Sequence, residues 1–384
     1  MSLVSKPPAV AKRVGVVGAG QLARMMGEAA HSSGVRISVL ATSPDDAAVA
    51  TCDDVLFGSP EDPAALHALA QRVDVMTFDH ELVNLDQITE LVNAGGVVRP
   101  GPAALRFAVD KAYQRRRLAR AGVPVPRFVT VRSGSASGLG RFLDEVGGDV
   151  VVKRARGGYD GRGVWFPDSH EAARRLVDEL DTEVVVEQRL DLVSEAAQVV
   201  VRAVDGTVVR YPLVTTVQSE GMCSEVRFPA EVSDPARAGA ADLAERLANL
   251  SGAEGVVAVE LFDTSAGWFV NEIALRPHNS AHWTIEGCAT SQFANHLRAV
   301  SGRELGDVGA VTPAAVMVNV VGAATPASPD AARAVPGVVV HDYGKVWRAG
   351  RKLGHVTALA DDVDEARVRA WRGAVAYGTR TREA

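Results

Sequence analysis

The strongest constraint on the fold is a pair of apolar runs within residues 256–280 that have the pattern of two neighbouring strands. VVAVELF and WFVNEIAL flank the short polar segment DTSAG, which is typical of a β-hairpin. Glu260 and Glu272 are an even number of positions apart, so we expect both side chains on the same side of this ribbon. If the turn centres near Ala266, the two carboxylates lie directly opposite each other.

Two like charges that face each other destabilise a sheet, so a divalent cation between them is the simplest explanation for the pair. Mg²⁺ binds carboxylate oxygens and completes its coordination with water and substrate phosphates. A dense polar run follows the second strand, which favours a metal site over a solvated edge hairpin. The polar residues of this run are Arg276, His278, Asn279 and Ser280, and Asn271 lies beside the second acid.

The composition is that of an ordinary globular protein. The 384 residues suggest two or three domains, and 47% of them are hydrophobic and 23% charged. A net charge of −6 provides no general attraction for nucleic acid. No apolar run approaches the roughly twenty residues that span a bilayer, and residues 1–12 are expected to be a tail without a signal peptide. Three widely spaced cysteines favour unpaired thiols in a reducing cytoplasm.

The first hundred residues alternate strand and helix, which predicts a parallel sheet with helices on its faces. A glycine turn, with Gly18, Gly20 and Ala23, separates the first strand from the first helix. This context suits a dinucleotide, but the second strand ends in ATS, without the acid that would bind the ribose. The alternative is a turn that leaves the helix N-terminus available to an anion, with Gln21 beside it.

Two acids, Asp79 and Glu81, follow a later strand of this region. Ligands of open α/β sheets bind outside the carboxyl ends of strands, so these acids are candidates for a site. A solvated loop is an equally good explanation. The alternating pattern stops at residues 100–102, where two prolines and a glycine indicate a domain boundary.

A glycine-rich loop between two short strands is the main feature of the second region. The run VVVK ends at Lys153 and is followed by RARGGYDGRG and the apolar VWF. The loop is not a P-loop, but its N–H groups can bind phosphate oxygens, and Lys153 adds a positive charge. Tyr159 and Asp160 lie at the loop tip, and a mobile hairpin loop is the alternative. The preceding helix, with Asp110 and Lys111, is predicted as one element over residues 102–123.

The last region, from about residue 305, contains a basic turn. The stretch KVWRAGRKLGHVTAL is predicted to be a hairpin with four cations around its glycine turn. These cations are Lys345, Arg348, Arg351 and Lys352. In a chain of net negative charge, such a cluster suggests a pocket for one phosphate of a substrate, with a solvated basic turn as the alternative.

Taken together, these stretches resemble the ATP-grasp enzymes, and among them the N5-carboxyaminoimidazole ribonucleotide synthase family. The resemblance runs through VGVVGAGQLARMM, TFDHELV, RGGYDGRG, NEIALRPHNSAHWT, SQF and GKVWRAGRKLGH, in that family's order. It implies an α/β and α+β fold with three domains after a tail at 1–12. These are a Rossmann-like pre-ATP-grasp domain at 13–101, an ATP-grasp domain at 102–304 with a glycine-loop subdomain at about 125–190, and a small β-rich domain at 305–384.

The resemblance also implies a function: ATP-dependent carboxylation of 5-aminoimidazole ribonucleotide by bicarbonate through carboxyphosphate, with Mg²⁺, by a cytoplasmic homodimer of purine synthesis. The implied ATP-binding residues are Lys111, Lys153, Gly158, Tyr159, Asp160, Gly161, Arg162, Gly163, Glu187, Gln188, Leu190, Glu195, Gln218, Asn271 and Glu272. The implied ribonucleotide-binding residues are Gln21, Tyr159, Asp160, His278, Asn279, Ser280, Lys345, Arg351 and Lys352. Glu260 and Glu272 would bind Mg²⁺, and the implied catalytic residues are Arg276, His278 and Asp160.

Several positions depart from the usual motifs of this family. GAGQLARM stands in place of GGGQLGRM, Leu275 and Ala281 alter the run APRPHNSGH, and Gln218 replaces a histidine that many relatives carry. None of these changes removes a charged group assigned to metal or phosphate. The alternatives within the superfamily are a formate-dependent ribonucleotide transformylase and a biotin-type carboxylase. Outside it they are a non-catalytic nucleotide sensor and an NAD-dependent oxidoreductase.

Overall fold

The computed structural model describes residues 11–132, 136–158 and 163–380. A first sheet contains four parallel strands in the order β3-β2-β1-β4. The strands are β1 (Arg13–Val17), β2 (Arg36–Ala41), β3 (Asp54–Phe57) and β4 (Val75–Phe78), and the helices of this region are α1 (Gln21–Ala30), α2 (Pro63–Ala70) and α3 (Leu85–Asn93). The predicted alternation of strand and helix is confirmed.

The central strands of the first sheet are buried because they are nearly continuous apolar runs. Val14, Val16 and Ile37 have no exposed surface, as expected for parallel strands covered by helices. Helix α3 is not predicted from the sequence. It begins after Asn84, whose side chain accepts hydrogen bonds from the first N–H groups of the helix, including that of Asp86.

The helix predicted over residues 102–123 is two helices, so this prediction is wrong. Helix α4 (Pro102–Val109) and helix α5 (Lys111–Arg120) are separated by Asp110, which has extended backbone angles. The Asp110 side chain accepts a hydrogen bond from the N–H of Tyr113, so it caps a new helix.

A small antiparallel sheet follows, in the order β5-β8-β6-β7. Its elements are β5 (Phe128–Val131), α6 (Ala136–Val146), β6 (Val150–Arg154), β7 (Val164–Trp165), α7 (His170–Leu180) and β8 (Val184–Gln188). Leu143, Val152, Val177 and Val186 belong to the apolar core that α6 and α7 share with this sheet. Strands β6 and β7 flank the glycine-rich segment, as predicted.

A third, antiparallel sheet of nine strands in the described residues has the order β14-β13-β9-β11-β12-β15-β17-β16, and β10 pairs with β9. The strands are β9 (Ser194–Arg202), β10 (Val208–Arg210), β11 (Val214–Ser219), β12 (Met222–Phe228), β13 (Gly255–Thr264), β14 (Gly267–Ala274), β15 (Ala314–Val321), β16 (Val338–Asp342) and β17 (Lys352–Ala360). The helices are α8 (Asp234–Ser251), α9 (Thr284–Gly287), α10 (Gln292–Val300), α11 (Pro329–Arg333) and α12 (Val363–Ala376). The C-terminal strands thus continue the sheet of the preceding region, because β15 pairs with β12.

The C-terminal hairpin differs from its prediction. Strand β17 pairs with β16, and residues 343–351 form an irregular loop between them, so KVWRA is not a strand. Helices α11 and α12 are also not predicted from the sequence. In the part of the chain that the structure covers, none of the helices has the length and apolar character needed to cross a membrane.

Candidate active site

A cleft of about 2810 Å³ brings together side chains from all three sheet regions. Gln21 of α1, Lys153 of β6, Glu272 of β14 and Lys352 of β17 all line it. Residues that are hundreds of positions apart in the sequence therefore share one space.

Glu260 and Glu272 are direct neighbours across the β13–β14 pair, as predicted. Their opposition depends on an irregularity in the register. Near the turn Leu261 pairs with Val270, and this register, if continued, would place Glu260 opposite Asn271. A β-bulge leaves Asn271 as an extra residue and moves Glu272 into the facing position.

The two acids have opposite pKa shifts because Lys111 contacts one of them. Burial would raise the pKa of Glu272, but the ion pair with Lys111 Nζ lowers it overall. Burial raises the pKa of Glu260, and the charge of Glu272 increases this shift. The side chains of Glu260 and Glu272 are 26% and 42% exposed, so both are open to the cleft. An incompletely compensated negative charge therefore faces the cleft.

This acid pair fits Mg²⁺ carried by a nucleotide. Among the residues described, no group of three or more histidine, cysteine or acidic side chains is arranged to hold a metal by itself. Mg²⁺ commonly uses one or two carboxylates and takes its other ligands from water and phosphates. The pair is oriented by two neighbours: Asn271 Nδ2 donates to Glu260 Oε2 at 3.3 Å, and His278 Nε2 lies 3.4 Å from Glu260 Oε1.

Lys153 is held beside this pair by Glu187. Lys153 Nζ lies 2.8 Å from Glu187 Oε2 and 3.0 Å from Asn271 Oδ1. Arg115 Nε donates to the other Glu187 oxygen at 2.6 Å. Burial would raise the pKa of Glu187, but Arg115 and Lys153 lower it overall, to about 2. Burial lowers the pKa of Lys153, and the nearby positive charge of Arg115 adds to this shift, whereas Glu187 opposes it.

Most of the residues implied for ATP line the cleft, including Gly158, Gln188, Leu190, Glu195 and Gln218. Burial raises the pKa of Glu195. The Glu187 side chain binds Arg115 and Lys153 with one oxygen each.

The glycine-rich segment is described only at its two ends. Tyr159, Asp160, Gly161 and Arg162 lie outside the described residues. Gly163 is described but does not line the cleft, and its φ of 79° is in the region that favours glycine.

The RPHNS run forms a compact turn fixed by Gln292. The N–H of His278 donates to Gln292 Oε1 at 2.8 Å, and Gln292 Nε2 donates to the His278 carbonyl at 2.7 Å. Ser280 is buried and does not line the cleft; its hydroxyl lies 2.8 Å from His278 Nδ1. Asn279 lines the cleft. These bonds hold the His278 ring with Nε2 toward Glu260.

Glu81 connects the first sheet to this turn, which favours the site explanation over a solvated loop. Glu81 Oε1 accepts a hydrogen bond from the N–H of Leu275 at 2.7 Å. Its other oxygen lies 3.5 Å from Arg276 Nε. Arg276 is thereby oriented along the wall of the cleft.

The basic loop at residues 343–351 reaches the first region. Lys345 Nζ donates to Gln21 Oε1 at 2.6 Å. Arg348, Arg351 and Lys352 line the cleft with them. The four predicted cations therefore face one space, at the N-terminus of α1.

The glycine turn before α1 receives an internal carboxylate at one of its N–H groups. Asp79 Oδ2 accepts a hydrogen bond from the N–H of Gly20 at 2.5 Å. A Cβ atom at Gly18 would lie 2.1 Å from Asp79 Oδ1. The glycines make room for an internal carboxylate that is only 7% exposed.

Three family models match successive parts of the chain. They describe a ribonucleotide synthetase preATP-grasp domain at 11–109, an ATP-grasp domain at 116–293, and a phosphoribosylaminoimidazole carboxylase C-terminal domain at 315–369. Their order is that expected from the sequence.

The chain is similar to curated N5-carboxyaminoimidazole ribonucleotide synthases over nearly its whole length. It is 44% identical to that of Mycobacterium tuberculosis over 376 residues, covering 94% of this chain and 87% of the relative. With the relative from Corynebacterium ammoniagenes, identity is 39% over 369 residues, covering 92% and 89%. The chain belongs to the N5-carboxyaminoimidazole ribonucleotide synthase family.

Solved structures of this synthase family have the same fold. The Aspergillus clavatus enzyme, crystallised with ADP and 5-aminoimidazole ribonucleotide, matches with a TM-score of 0.87 and 29% identity, covering 95% of this chain and 98% of that one. The α/β and α+β architecture with its pre-ATP-grasp and C-terminal domains is thus confirmed.

Two residues that organise the cleft, Arg115 and Gln292, are not identified as site residues from the sequence. The arginine-rich run that contains Arg115 has the pattern of a solvated helix face, but the Arg115 side chain is 3% exposed. Gln292 lies within the SQF motif, where only the resemblance drew attention to it. Asp79, a candidate in the sequence, is buried against the glycine turn. Nothing in the arginine-rich run distinguishes Arg115 from its neighbours.

Proposed function

We propose that this protein catalyses ATP-dependent carboxylation of 5-aminoimidazole ribonucleotide by bicarbonate, giving N5-carboxyaminoimidazole ribonucleotide, ADP and phosphate. The observation that carries this assignment is that one cleft holds two charged groups. One is an opposed acid pair beside two lysines, and the other is a set of four cations from the basic loop and the start of β17. The first group suits the phosphates of a nucleotide with its metal. The second suits the phosphate of a ribonucleotide.

ATP would lie with its phosphates near Lys111, Lys153, Asn271 and Gly158. Lys153 lies 3.0 Å from Asn271 Oδ1, and Lys111 contacts Glu272, so both ammonium groups border the acid pair. Residues at the end of β8, in the link to β9 and at the start of β9, together with Gln218, would contact the adenosine. These are Glu187, Gln188, Leu190 and Glu195.

Glu260 and Glu272 would hold Mg²⁺. When bound, the ion supplies charge neutralisation for the phosphate oxygens during phosphoryl transfer. The two carboxylates are matched to this role because their mutual repulsion is otherwise incompletely compensated. Asn271 and His278 keep the Glu260 carboxylate oriented by the contacts described above.

Bicarbonate is a poor electrophile, and phosphorylation activates it. Its oxygen attacks the γ-phosphorus, ADP leaves, and carboxyphosphate forms; the amine of the ribonucleotide then takes the carboxyl group, phosphate leaves, and the amine loses a proton. Arg276, held by Glu81, would stabilise the negatively charged oxygen of carboxyphosphate. His278 is the described candidate to orient or deprotonate the amine, and Asp160 is its counterpart on the glycine-rich segment.

The phosphate of the ribonucleotide would bind at the basic loop. Lys345, Arg351 and Lys352 line the cleft there, and the bond from Lys345 to Gln21 brings the polar end of α1 to the same place. Asn279 and Tyr159 would complete the contacts to the ribonucleotide, while Ser280 acts through His278.

The deciding experiment measures ADP release by a coupled assay with each substrate omitted in turn. We expect release to require ATP, Mg²⁺, bicarbonate and 5-aminoimidazole ribonucleotide together. Release with formate and glycinamide ribonucleotide in place of the last two would instead assign a transformylase of the same superfamily.

We also propose a cytoplasmic homodimer whose domains span residues 13–101, 102–304 and 305–384. The order of the three family matches supports a division into three domains. Cys52, Cys223 and Cys288 are unpaired, which fits a reducing compartment. Sedimentation analysis tests the dimer, and a monomer at micromolar concentration would contradict it.

A further inference from the structure

The Asp110 carboxylate lies at the break between α4 and α5 and uses its two oxygens for two different partners. Oδ1 accepts a hydrogen bond from the N–H of Tyr113 at 2.8 Å, which caps α5. Oδ2 accepts hydrogen bonds from Nη2 and Nε of Arg156, at 2.8 and 3.3 Å. The Asp110 side chain is 2% exposed, whereas that of Arg156 is 65% exposed.

A second link between the same two segments runs through the main chain. The N–H of Lys111 donates to the carbonyl of Ala155 at 2.8 Å. Ala112 and Ala155 are buried together against Val185. The first turn of α5 is therefore joined side by side to the residues that lead directly into the glycine-rich segment.

Capping alone does not account for this arrangement. A helix cap needs one acceptor oxygen, and Tyr113 satisfies it. The second oxygen accepts charge-assisted hydrogen bonds from two donors of Arg156, a surface arginine. This geometry restricts the orientation of both side chains. The bond with Asp110 raises the pKa of Arg156. The main chain at Arg156, one residue before Gly157, is thereby anchored.

We propose that Asp110 is a positioning residue for the phosphate end of the nucleotide. Through one carboxylate it fixes both Lys111, whose ammonium contacts Glu272, and the start of the glycine-rich segment, where Gly158 lines the cleft. Asp110 does not itself line the cleft, so it acts through these residues. The inference rests on the proposed function for the identity of the ligand as a nucleotide with a phosphate chain.

The test is Asp110→Asn. Asparagine caps helices as well as aspartate does, but it carries no negative charge. If its oxygen caps α5, the group facing Arg156 is an NH2 group that cannot accept a hydrogen bond. We expect the Kd for Mg–ATP, measured by titration calorimetry, to rise about tenfold. The melting temperature and the KM for the ribonucleotide should stay at their unsubstituted values. Arg156→Gln should have the same effect, and the double variant should be no worse than either single one.

The matched control is Asp62→Asn, which makes the same change at the cap of α2, where Asp62 Oδ1 accepts from the N–H of Ala64 at 2.9 Å. This variant should leave the Kd for Mg–ATP unchanged. An unchanged Kd in Asp110→Asn, or additive effects in the double variant, would overturn the inference. A lower melting temperature, together with equal changes in the KM values of all substrates, would show that Asp110 only caps the helix. Calorimetry without the ribonucleotide keeps this outcome separate from a failure of the carboxylase assignment.

Discussion

Lys153 and Glu187 form an ion pair of 2.8 Å inside the protein, with side chains that are 11% and 3% exposed. Arg115 shares the same carboxylate, so one buried acid orients two cations from different elements. Burial makes such a pair a weak source of net stability, but removal of one partner leaves a buried charge alone. Glu187 therefore contributes to the stability of the fold and also holds Lys153 in position.

Acidification should destabilise the protein through Glu187. Its folded pKa of about 2 is below the ordinary 4.5, so its contribution is complete above about pH 4.5 and is lost as the pH falls toward 2. We expect Glu187→Gln to lower the free energy of unfolding at neutral pH by about 3–5 kcal/mol. In urea titrations, the difference from the unsubstituted protein should shrink below about pH 4.5.

The control for this prediction is Glu145→Gln, which removes an exposed partner of Arg127. It should change the free energy of unfolding by less than about 1 kcal/mol at any pH. A difference for Glu187→Gln that stays constant down to the acid range would contradict the role assigned to the Glu187 charge.

Glu260→Gln should separate stability from metal binding. The substitution removes the charge that faces Glu272 while keeping an acceptor for Asn271, so we expect the metal-free protein to melt at the same or a higher temperature. The extra stabilisation by Mg²⁺ with ATP should be lost, and turnover should fall at least about 100-fold. Thermal shift with and without Mg²⁺ measures both effects. Asp263→Asn, farther along the same strand, should retain the Mg²⁺ response.

Arg351→Met should weaken binding of the ribonucleotide selectively. Removal of one charge that contacts a phosphate is expected to raise the KM for 5-aminoimidazole ribonucleotide about tenfold, with the KM for ATP unchanged. Initial rates at several salt concentrations measure both constants, and the salt dependence of the first should weaken. Arg333→Met removes an exposed arginine of the same region and serves as the control. Equal effects on both KM values would contradict the assignment of this loop.

NADH should not raise the melting temperature, whereas Mg–ATP should. Asp79 already occupies the N–H of Gly20, at the point where a dinucleotide would place its pyrophosphate. Saturating Mg–ATP at about 100 times its Kd contributes about 2.7 kcal/mol. Stabilisation by NADH of similar size would show that Asp79 can be displaced, and would reopen the oxidoreductase alternative.

The sequence predicted the elements that have a strong periodic pattern. The alternation in the first region and the strands around the glycine-rich segment follow from local rules. The two-helix structure around Asp110 does not, because the apolar spacing continues across the break and only the cap reveals it. Helix α12 was missed for a related reason: its buried face consists mainly of alanine and glycine, which give little periodic signal.

The register of the acid pair shows the same limit. An even spacing suggests that two side chains face one way, but the two-residue turn of this hairpin would pair Glu260 with Asn271. The bulge at Asn271 restores the pairing, and the spacing of the two acids alone does not reveal it. The burial of Arg115 depends on Glu187 and the carbonyl of Asn271, neither of which is near it along the chain.

Strand β15 pairs with β12, so the acid pair and the basic loop are carried by one continuous hydrogen-bonded lattice. A continuous hydrogen-bonded sheet resists deformation, so it holds the acid pair and the basic loop at a fixed distance from each other. A chain cut before Ala314 would lose three of the nine strands, β15, β16 and β17, and would leave the backbone of β12 open to pairing with other molecules.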